Sequence, residues 1–418
     1  MAKSSALSST YLCLYTTALA TTILTLMNPC FLNAKTLESD VQVLRSFKDS
    51  IDPNSVLPAS FLSSWNLDLD PCEATGTHFL GILCMTPSDN SSGRISVIDL
   101  EGDGLEGFLT PEIGNLTELT TLNLNRNKFR GPIPDSIINL RKITRLLLSE
   151  NFFSGGLPRY MRRLRKLEVI DVSHNRLSGS IPATITALRE LTRLDLSNNE
   201  LTGKIPDLSG LWQLNTLALS SNQFFAGLPP FPVRLRTLLL GHNLLTGHIS
   251  AISRLRYLTA LDLSDNRFSG PILHRIVTLP ELMRINVSAN HFTRIEVTKS
   301  STKESRLQVL DAHSNLLQGH LPLNIITYLN LKTVNLGHNR FFGKIPKEYG
   351  SRLRSLWRNL NLEYNYLEGT LPSEFMTGGE KARASLDHNC LNCPDHLPWC
   401  LGGQRPASQC RRSAGGIM

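Results

Sequence analysis

Apolar and polar positions alternate along this chain in one recurring pattern, L-x-L-x-x-N-x-[L/F]-x-G-x-[I/L]-P, which returns about every 24 residues. One copy contains Leu122, Leu124, Asn127, Phe129 and Pro134, and the next copy follows directly. A period of this length is typical of solenoids, in which each repeat must stack on its neighbours to cover its apolar face. The pattern therefore predicts a linear array of stacked repeats.

Asparagines mark the register of eleven repeats, with steps that are mostly 23 to 25 residues long. Asp103 takes the same place in a degenerate first repeat, and Asn389 takes it in the terminal one. We call these asparagines the ladder asparagines: Asn127, Asn151, Asn175, Asn199, Asn222, Asn243, Asn266, Asn290, Asn315, Asn339 and Asn365.

Each repeat predicts a short strand with two inward apolar residues, such as Leu194 and Leu196, and the stacked strands form one parallel sheet. The ladder asparagine can pair with backbone groups that the turn leaves without sheet partners. Apolar spacers such as Leu188 and Leu191 should pack the convex side. The predicted fold is an α/β solenoid, a leucine-rich repeat right-handed superhelix with disulfide-bonded N- and C-terminal caps.

The pattern breaks once, after Phe292, where Arg294–Val297 replaces the Gly-x-Ile-Pro segment and a polar run, Thr298–Arg306, follows. This segment is either a tolerated surface loop or a small ligand-contacting insertion, because loops on a rigid scaffold often carry function.

The N-terminus predicts a secretory signal over residues 1–34, with an apolar stretch from Tyr11 to Met27. An uncleaved membrane anchor is the alternative. No other stretch is apolar enough to span a membrane, so we expect no transmembrane helix after the repeats, no lipid-anchor tail and no kinase domain. This predicts a secreted protein of the cell wall or the outer face of the plasma membrane.

Six cysteines remain outside the signal, and an even count in an oxidising compartment predicts disulfides. Cys72 and Cys84 are expected to pair, whereas Cys390, Cys393, Cys400 and Cys410 allow three connectivities. A zinc site of Cys390, Cys393, Cys400 and His396 is the alternative.

The cysteine-containing ends are expected to cap the solenoid core. Residues 35–93 form the predicted N-terminal cap, 94–376 the repeats and 377–418 the C-terminal cap. The apolar content of the N-terminal cap is predicted to be Val41, Leu44, Phe47, Phe61, Leu62 and Trp65, and that of the C-terminal cap Leu391, Leu397 and Trp399.

The repeat pattern and its N-terminal segment together resemble the plant extracellular leucine-rich repeat family, which includes polygalacturonase-inhibiting proteins, receptor-like proteins and receptor-kinase ectodomains. The segment carries Asp52-Pro53, Ser64-Trp65-Asn66, Asp70-Pro71-Cys72 and Gly81-Ile82-Leu83-Cys84, with His78-Phe79 where the family usually has Trp. The resemblance covers nearly all of residues 38–393. It implies roles in perceiving microbes or in development, often beside a receptor kinase.

Catalytic motifs are missing from the sequence: it has no nucleophile elbow, no His-Glu-x-x-His and no phosphate-binding glycine loop. Asp195-Leu196-Ser197 belongs to the repeat consensus. We therefore expect no enzymatic activity, no cofactor and no metal.

Variable residues on the concave face form three columns. One, between the inward strand residues, is mostly Asp or Asn; a second directly precedes the ladder asparagine; a third precedes or begins the strand. As a polar set they predict a binding face, although each residue alone fits a solvated sheet equally. The histidines would charge in an acidic wall and make binding depend on pH. The predicted ligand-binding residues are Arg145, His174, Arg193, Arg236, His242, His338 and Tyr364.

The formal net charge is +8, and part of the excess is clustered. A patch of this kind attracts polyanions, of which pectin is the natural one in a plant wall, whereas nucleic acid is not expected outside the cell. The alternative is a solvated convex surface. The basic patch consists of Arg159, Arg162, Arg163, Arg165 and Lys166.

Three sequons predict N-glycosylation, at Asn90, Asn115 and Asn286. Asn286 lies between the inward strand residues Ile285 and Val287, so a glycan there would block part of the concave face.

The first functional hypothesis is a secreted, receptor-like recognition protein that binds a protein or peptide partner, with a receptor kinase as co-receptor. The alternatives are an inhibitor of secreted polygalacturonase and a pectin-bound wall protein.

Overall fold

A computed structural model describes residues 35–74, 76, 78–86, 91–299, 305–376, 382–394 and 397–410. The predicted signal segment 1–34, the sequon asparagine Asn90 and His396 lie outside the described residues. The chain from residue 34 onward is one compact unit.

A sheet of 14 strands receives one strand from the N-terminal cap and one from each repeat, and we call its outward side the sheet face. Neighbouring strands are parallel, except that the cap strand is antiparallel to the first repeat strand. The strands are Ile82–Met85, Arg94–Asp99, Thr121–Asn123, Arg145–Leu147, Val169–Asp171, Arg193–Asp195, Thr216–Ala218, Thr237–Leu239, Ala260–Asp262, Arg284–Asn286, Val309–Asp311, Thr333–Asn335, Asn359–Asn361 and Arg383–Ser385.

The ladder asparagines bond the turns as expected. Asn127 Oδ1 accepts from the N–H of Leu105 at 2.9 Å, and its Nδ2 donates to the carbonyls of Leu100, Leu124 and Asn125. The same bonds recur at the later ladder asparagines as far as Asn389.

Asp103, in the first repeat, has a different neighbour. Its carboxylate accepts from Ser60 Oγ at 2.6 Å and from the N–H of Phe61 at 2.9 Å. Asp103 therefore holds the N-terminal cap. Its carboxylate accepts hydrogen bonds from O–H and N–H groups of the cap, whereas an asparagine amide would donate hydrogen bonds to carbonyls.

The core runs the length of the repeats. The predicted inward residues Leu194 and Leu196 and the convex spacers Leu188 and Leu191 are all fully buried. Phenylalanines after the ladder asparagines stack on one another, as in Phe129–Phe153, whose ring centroids are 6.0 Å apart.

A second row of strands covers the flank, where the sequence pattern alone did not predict a sheet. Gly131, with φ +79°, lies within the strand Lys128–Pro132 and adopts a left-handed backbone that glycine tolerates without strain. Nine strands form the flank sheet: Glu106–Phe108, Lys128–Pro132, Phe152–Gly155, Arg176–Gly179, Glu200–Gly203, Gln223–Ala226, Leu244–Gly247, Arg267–Ile272 and His291–Ile295. Four more form a separate sheet: Gln318–Gly319, Arg340–Gly343, Tyr366–Thr370 and Cys390–Asn392.

The two flank sheets separate at residues 296–317, where the sequence pattern breaks. Arg294 pairs with Pro271 only after a shift in register. The loss of Gly-x-Ile-Pro therefore interrupts the row of strands. Residues 300–304 of the polar run lie outside the described residues.

The convex side carries mostly 3₁₀-helices, because a proline precedes or begins several of these short segments and too few residues follow for an α-helix. The 3₁₀-helices are Pro53–Ser55, Phe61–Ser64, Pro111–Asn115, Asp135–Asn139, Met161–Arg163, Ala183–Ala187, Ser250–Arg254, Leu323–Thr327, Ser373–Phe375 and Pro398–Cys400. The described α-helices are Glu38–Asp49, His274–Val277, Lys347–Ser355 and Ala407–Cys410.

The N-terminal cap differs from the expected apolar set at two positions. Val43, not Val41, is buried beside Leu44 and Phe47, because the buried side of the helix follows positions 40, 43, 44 and 47. Phe61 is 42% exposed, whereas Leu62 and Trp65 are buried. Phe79 fills the place where the family usually has Trp and packs 6.3 Å from Trp65.

All six cysteines of the caps form disulfides: Cys72–Cys84, Cys390–Cys410 and Cys393–Cys400. The structure thus selects one of the three connectivities for the last four. The zinc alternative was wrong, because its thiolate ligands are consumed in these bonds.

Candidate functional site

The turn residue before each ladder asparagine has a left-handed backbone. These residues have φ near +50°, a conformation that is uncommon for a side chain other than glycine. Each turn is held by the next repeat; for example, the N–H of His338 donates to the carbonyl of Glu363 at 2.8 Å. Side chains at this position in consecutive repeats can therefore lie over one another.

At the C-terminal end of the sheet face, three such side chains form a ring stack. The ring centroids of His338 and Tyr364 are 4.2 Å apart with planes 16° apart, and those of Tyr364 and His388 are 4.0 Å apart and 7° from parallel. Tyr364 is 37% exposed. We call these three residues the ring stack.

Glu363 connects the ring stack to the adjacent repeat. It accepts from Ser385 Oγ at 2.7 Å and from Asn361 Nδ2 at 3.2 Å, and it lies 3.6 Å from His338 Nε2. Burial opposes its ionisation, but these hydrogen bonds and the charges of His338 and His388 lower the pKa of Glu363 below its ordinary value. The buried Nδ1 of His388 has no hydrogen-bond partner among the described residues.

A groove of about 260 Å³ lies beside the ring stack on the last strands of the sheet face. Asn335 Nδ2 donates to Asp311 Oδ2 at 3.3 Å within it, and Asn359 Nδ2 donates to Thr333 Oγ1 at 3.2 Å. The groove also contains the Arg383 side chain, which is exposed and forms no ion pair within the described ranges. The groove residues are Asp311, Thr333, Val334, Asn335, Asn359, Leu360, Asn361, Arg383, Ala384 and Ser385.

Of the seven predicted ligand-binding residues, the structure brings only His338 and Tyr364 together. Arg193 is held by Asp195 at 3.0 Å and Asp171 at 3.8 Å, and His242 Nδ1 lies 2.8 Å from Asp265.

The others stand in separate places. His174 Nε2 lies 3.2 Å from Asn198 Nδ2, while Arg145 and Arg236 are exposed on earlier repeats. The sequence reasoning missed His388 and Glu363. The sequence pattern could have identified His388, because it directly precedes Asn389 and so shares the column of His338 and Tyr364.

The column of Asp and Asn on the sheet face has a structural role that the sequence did not predict. Asp195 Oδ1 accepts from the N–H of Ser197 at 3.2 Å and from its Oγ at 2.6 Å, and Asp262 does the same for Ser264. Asn286 bonds Ser288 in this way too, at 2.7 Å to the hydroxyl. These Asp and Asn side chains therefore use much of their hydrogen-bonding capacity within the turn.

The basic patch lies on the convex side, around the 3₁₀-helix Met161–Arg163. Its five side chains are all exposed. None of the five forms an ion pair with any residue that the structure describes. The sequon residue Asn115 is also exposed, at the end of the 3₁₀-helix Pro111–Asn115.

No three or more His, Cys, Asp or Glu side chains come together in a way that could hold a metal ion, as far as the described ranges extend. Among the same residues, every helix is too short or too polar to cross a membrane.

Protein-family models match two parts of the chain. A leucine rich repeat N-terminal domain matches residues 37–85. Leucine rich repeat models match residues 118–140, 165–224, 257–279 and 330–351.

Plant receptor proteins are among the known proteins with similar repeats. Receptor-like protein 54 of Arabidopsis thaliana is 34% identical over 104 residues, which is 25% of this chain and 12% of that protein. The solved structure of PEPR1-AtPEP1 has a TM-score of 0.70 at 27% identity, covering 85% of this chain and 52% of that one. The plant peptide hormone receptor RGFR1 in complex with RGF2 has a TM-score of 0.61 at 30% identity, covering 73% and 54%.

The chain thus spans about half the length of these two solved receptors. The matching repeats, the matching N-terminal domain and the similarity in fold agree with the ladder seen in the structure. The chain has the leucine-rich repeat fold and is similar to plant receptor-like proteins and to leucine-rich repeat receptor ectodomains.

Proposed function

We propose that this chain is a secreted recognition protein that binds a peptide or protein ligand at the C-terminal end of its sheet face. The ring stack beside the groove carries this proposal. Aromatic side chains dominate the binding energy of many interfaces, and here they stand next to amides and the exposed guanidinium of Arg383. A groove of about 260 Å³ is below the usual size of a small-molecule pocket, but it suits one or two side chains of an extended segment.

The similar receptors support a peptide or protein ligand, since one is described as a plant peptide hormone receptor in complex with RGF2. The three disulfides support an extracellular location, because such bonds persist in oxidising compartments. A role in defence or developmental signalling, with a receptor kinase as further partner, is part of the same proposal.

Affinity capture tests this function. Protein expressed from the full 418-residue sequence is incubated with plant plasma-membrane and wall extract at pH 5.5, and bound partners are quantified by mass spectrometry. Tyr364→Ala should lower capture of the specific partner at least tenfold, because removal of an aromatic anchor costs about 2 kcal/mol or more.

Glu150→Ala is the control, because Glu150 has the same left-handed turn position, lies far from the groove in sequence and is not among the predicted ligand-binding residues. It should leave capture unchanged, and both variants should melt within a few degrees of the unmodified protein. Equal capture by Tyr364→Ala and the unmodified protein would exclude this site. Capture of secreted pectin-degrading enzymes in place of receptors or peptides would favour the inhibitor alternative.

We also propose pectin as a second partner, at the basic patch. The supporting observation is that its five exposed cations have no acidic partner in the described part of the chain.

A further inference from the structure

A second cavity, of about 330 Å³, lies on the flank sheet rather than on the sheet face. It opens over the first four flank strands, from Glu106–Phe108 to Arg176–Gly179. The side chains that matter for its chemistry are Glu106, Lys128, Arg130, Phe152 and Arg176.

Phenyl rings and guanidinium groups alternate across the first four flank strands, and the first ring, Phe108, stands next to the cavity lining rather than in it. The guanidinium carbon of Arg130 lies 5.1 Å from the ring centroid of Phe108, and that of Arg176 lies 5.0 Å from the ring centroid of Phe152. Phe108 is 50% exposed and Phe152 is 44% exposed, so both rings offer apolar surface to a ligand. A guanidinium stacked on a ring keeps its N–H edge free to bond a carboxylate with two hydrogen bonds.

Gly131 leaves the room that this arrangement needs. A Cβ atom at this position would stand 2.9 Å from Cδ1 of Phe108, closer than such atoms approach each other. Gly131 also has φ +79°, which a larger residue would adopt only under strain. The Phe108 ring therefore packs directly on the backbone of Gly131, and its other side is exposed.

The charges of the cavity are not balanced. Glu106 pairs with Arg130 at 2.7 Å, but neither Lys128 nor Arg176 has a carboxylate partner among the described residues. Two cations thus stand free beside exposed phenyl surface. The carboxylate of Glu106 would repel a continuous polyanion that crosses the cavity. A ligand with a single anionic group can keep that group away from Glu106.

We propose that this cavity is a separate binding site for a peptide or protein segment in which an acidic side chain adjoins an apolar one. The ligand carboxylate bonds Arg176 and Lys128, and its apolar neighbour packs on the exposed surface of Phe152. The site lies on other repeats than the groove beside the ring stack, so it does not depend on the function proposed above.

Saturation-transfer NMR with small probes tests the site on protein expressed from the full sequence. The probes are a blocked tripeptide with glutamate between phenylalanine and leucine, the same peptide with glutamine in that place, and trigalacturonate. The glutamate peptide should give at least fivefold more transfer than the glutamine peptide. Arg176→Gln and Phe152→Ala should each remove most of this signal.

Arg267→Gln is the matched control. Arg267 follows its ladder asparagine as Arg176 does and is also exposed, so Arg267→Gln and Arg176→Gln remove the same charge from the same position of a repeat. Arg267 differs in lying outside the cavity. Arg267→Gln should leave the signal unchanged. Equal transfer from both peptides, or equal effects of Arg176→Gln and Arg267→Gln, would overturn the proposal. Binding of trigalacturonate in preference to the glutamate peptide would overturn it too, in favour of an acidic sugar.

Discussion

At the scale of single residues, each ladder asparagine serves both of the repeats that it joins. Asn266 accepts from the N–H of Leu245 and donates to the carbonyls of Leu240, Leu263 and Ser264, with distances of 2.9 to 3.2 Å. These are backbone groups in a buried turn, and leaving one without a partner costs about 1–3 kcal/mol. The side chain therefore replaces hydrogen bonds that the sheet cannot supply.

Asn266→Ala should lower the free energy of unfolding by about 3 kcal/mol, because at least two buried backbone groups lose their partners. The urea midpoint, followed by circular dichroism, measures this. The matched control is Asn330→Ala, since Asn330 is exposed and makes one bond, to the carbonyl of Ser305 at 2.7 Å. Equal losses for the two variants would contradict the role given to the ladder.

The ladder could be predicted from sequence because its chemistry is local: a turn needs a side chain that both donates and accepts. The ring stack could be predicted only in part. His338 and Tyr364 were identified one by one, but stacking requires three consecutive turns in register, and the contribution of Glu363 depends on a partner in the next repeat, Ser385.

At the scale of elements, the strands of the sheet face follow the sequence pattern, whereas the flank sheet does not. Its strands are three to six residues long, and most of their partners lie about 21 to 23 residues away, so no local alternation marks them. The nine-residue α-helix Lys347–Ser355 lies in the longest repeat, between Asn339 and Asn365, while the short repeat after Asn222 has no described helix.

Glu363 joins three consecutive repeats at the C-terminal end, and its effect should depend on pH. Its folded-state pKa lies below the ordinary value of 4.5, so its ionised form stabilises the fold above that pH. The stabilisation is lost as the pH falls through the folded-state pKa. Glu363→Gln should lower the urea midpoint at pH 6.5, by an amount that corresponds to less than about 1 kcal/mol in the free energy of unfolding after solvent screening, and the difference should shrink as the pH falls below 4.5.

Glu368→Gln provides the comparison, because Glu368 is an exposed carboxylate on the strand Tyr366–Thr370 and forms no ion pair within the described ranges. Its midpoint should follow that of the unmodified protein at every pH. If the difference in urea midpoint between Glu363→Gln and the unmodified protein grows toward pH 3, this would contradict a lowered pKa for Glu363.

At the scale of the whole molecule, charge and aromatic surface are distributed over distinct regions. The ring stack lies at the C-terminal end of the sheet face, the alternating phenyl and guanidinium groups on the first flank strands, and the basic patch on the convex side. A stacked array permits this, because each repeat contacts mainly its neighbours and its outward residues can change separately. One chain can thus offer several partners different surfaces at once.

The basic patch should bind pectin by charge, and its location should matter more than the net charge of +8. A triple variant, Arg162→Gln with Arg163→Gln and Arg165→Gln, removes three exposed cations. At about 0.5 kcal/mol for each lost pair, its affinity for immobilised polygalacturonate at low salt should fall roughly tenfold.

A second triple variant, Arg254→Gln with Arg256→Gln and Arg275→Gln, removes the same charge from exposed convex positions of later repeats. It should lose far less affinity, and about 0.5 M salt should release all three proteins, because ions screen exposed charges within a few ångströms at that strength. Equal losses for the two triples would mean that pectin responds to net charge alone. Retention that survives the salt would mean that contacts other than charge hold the protein on the wall.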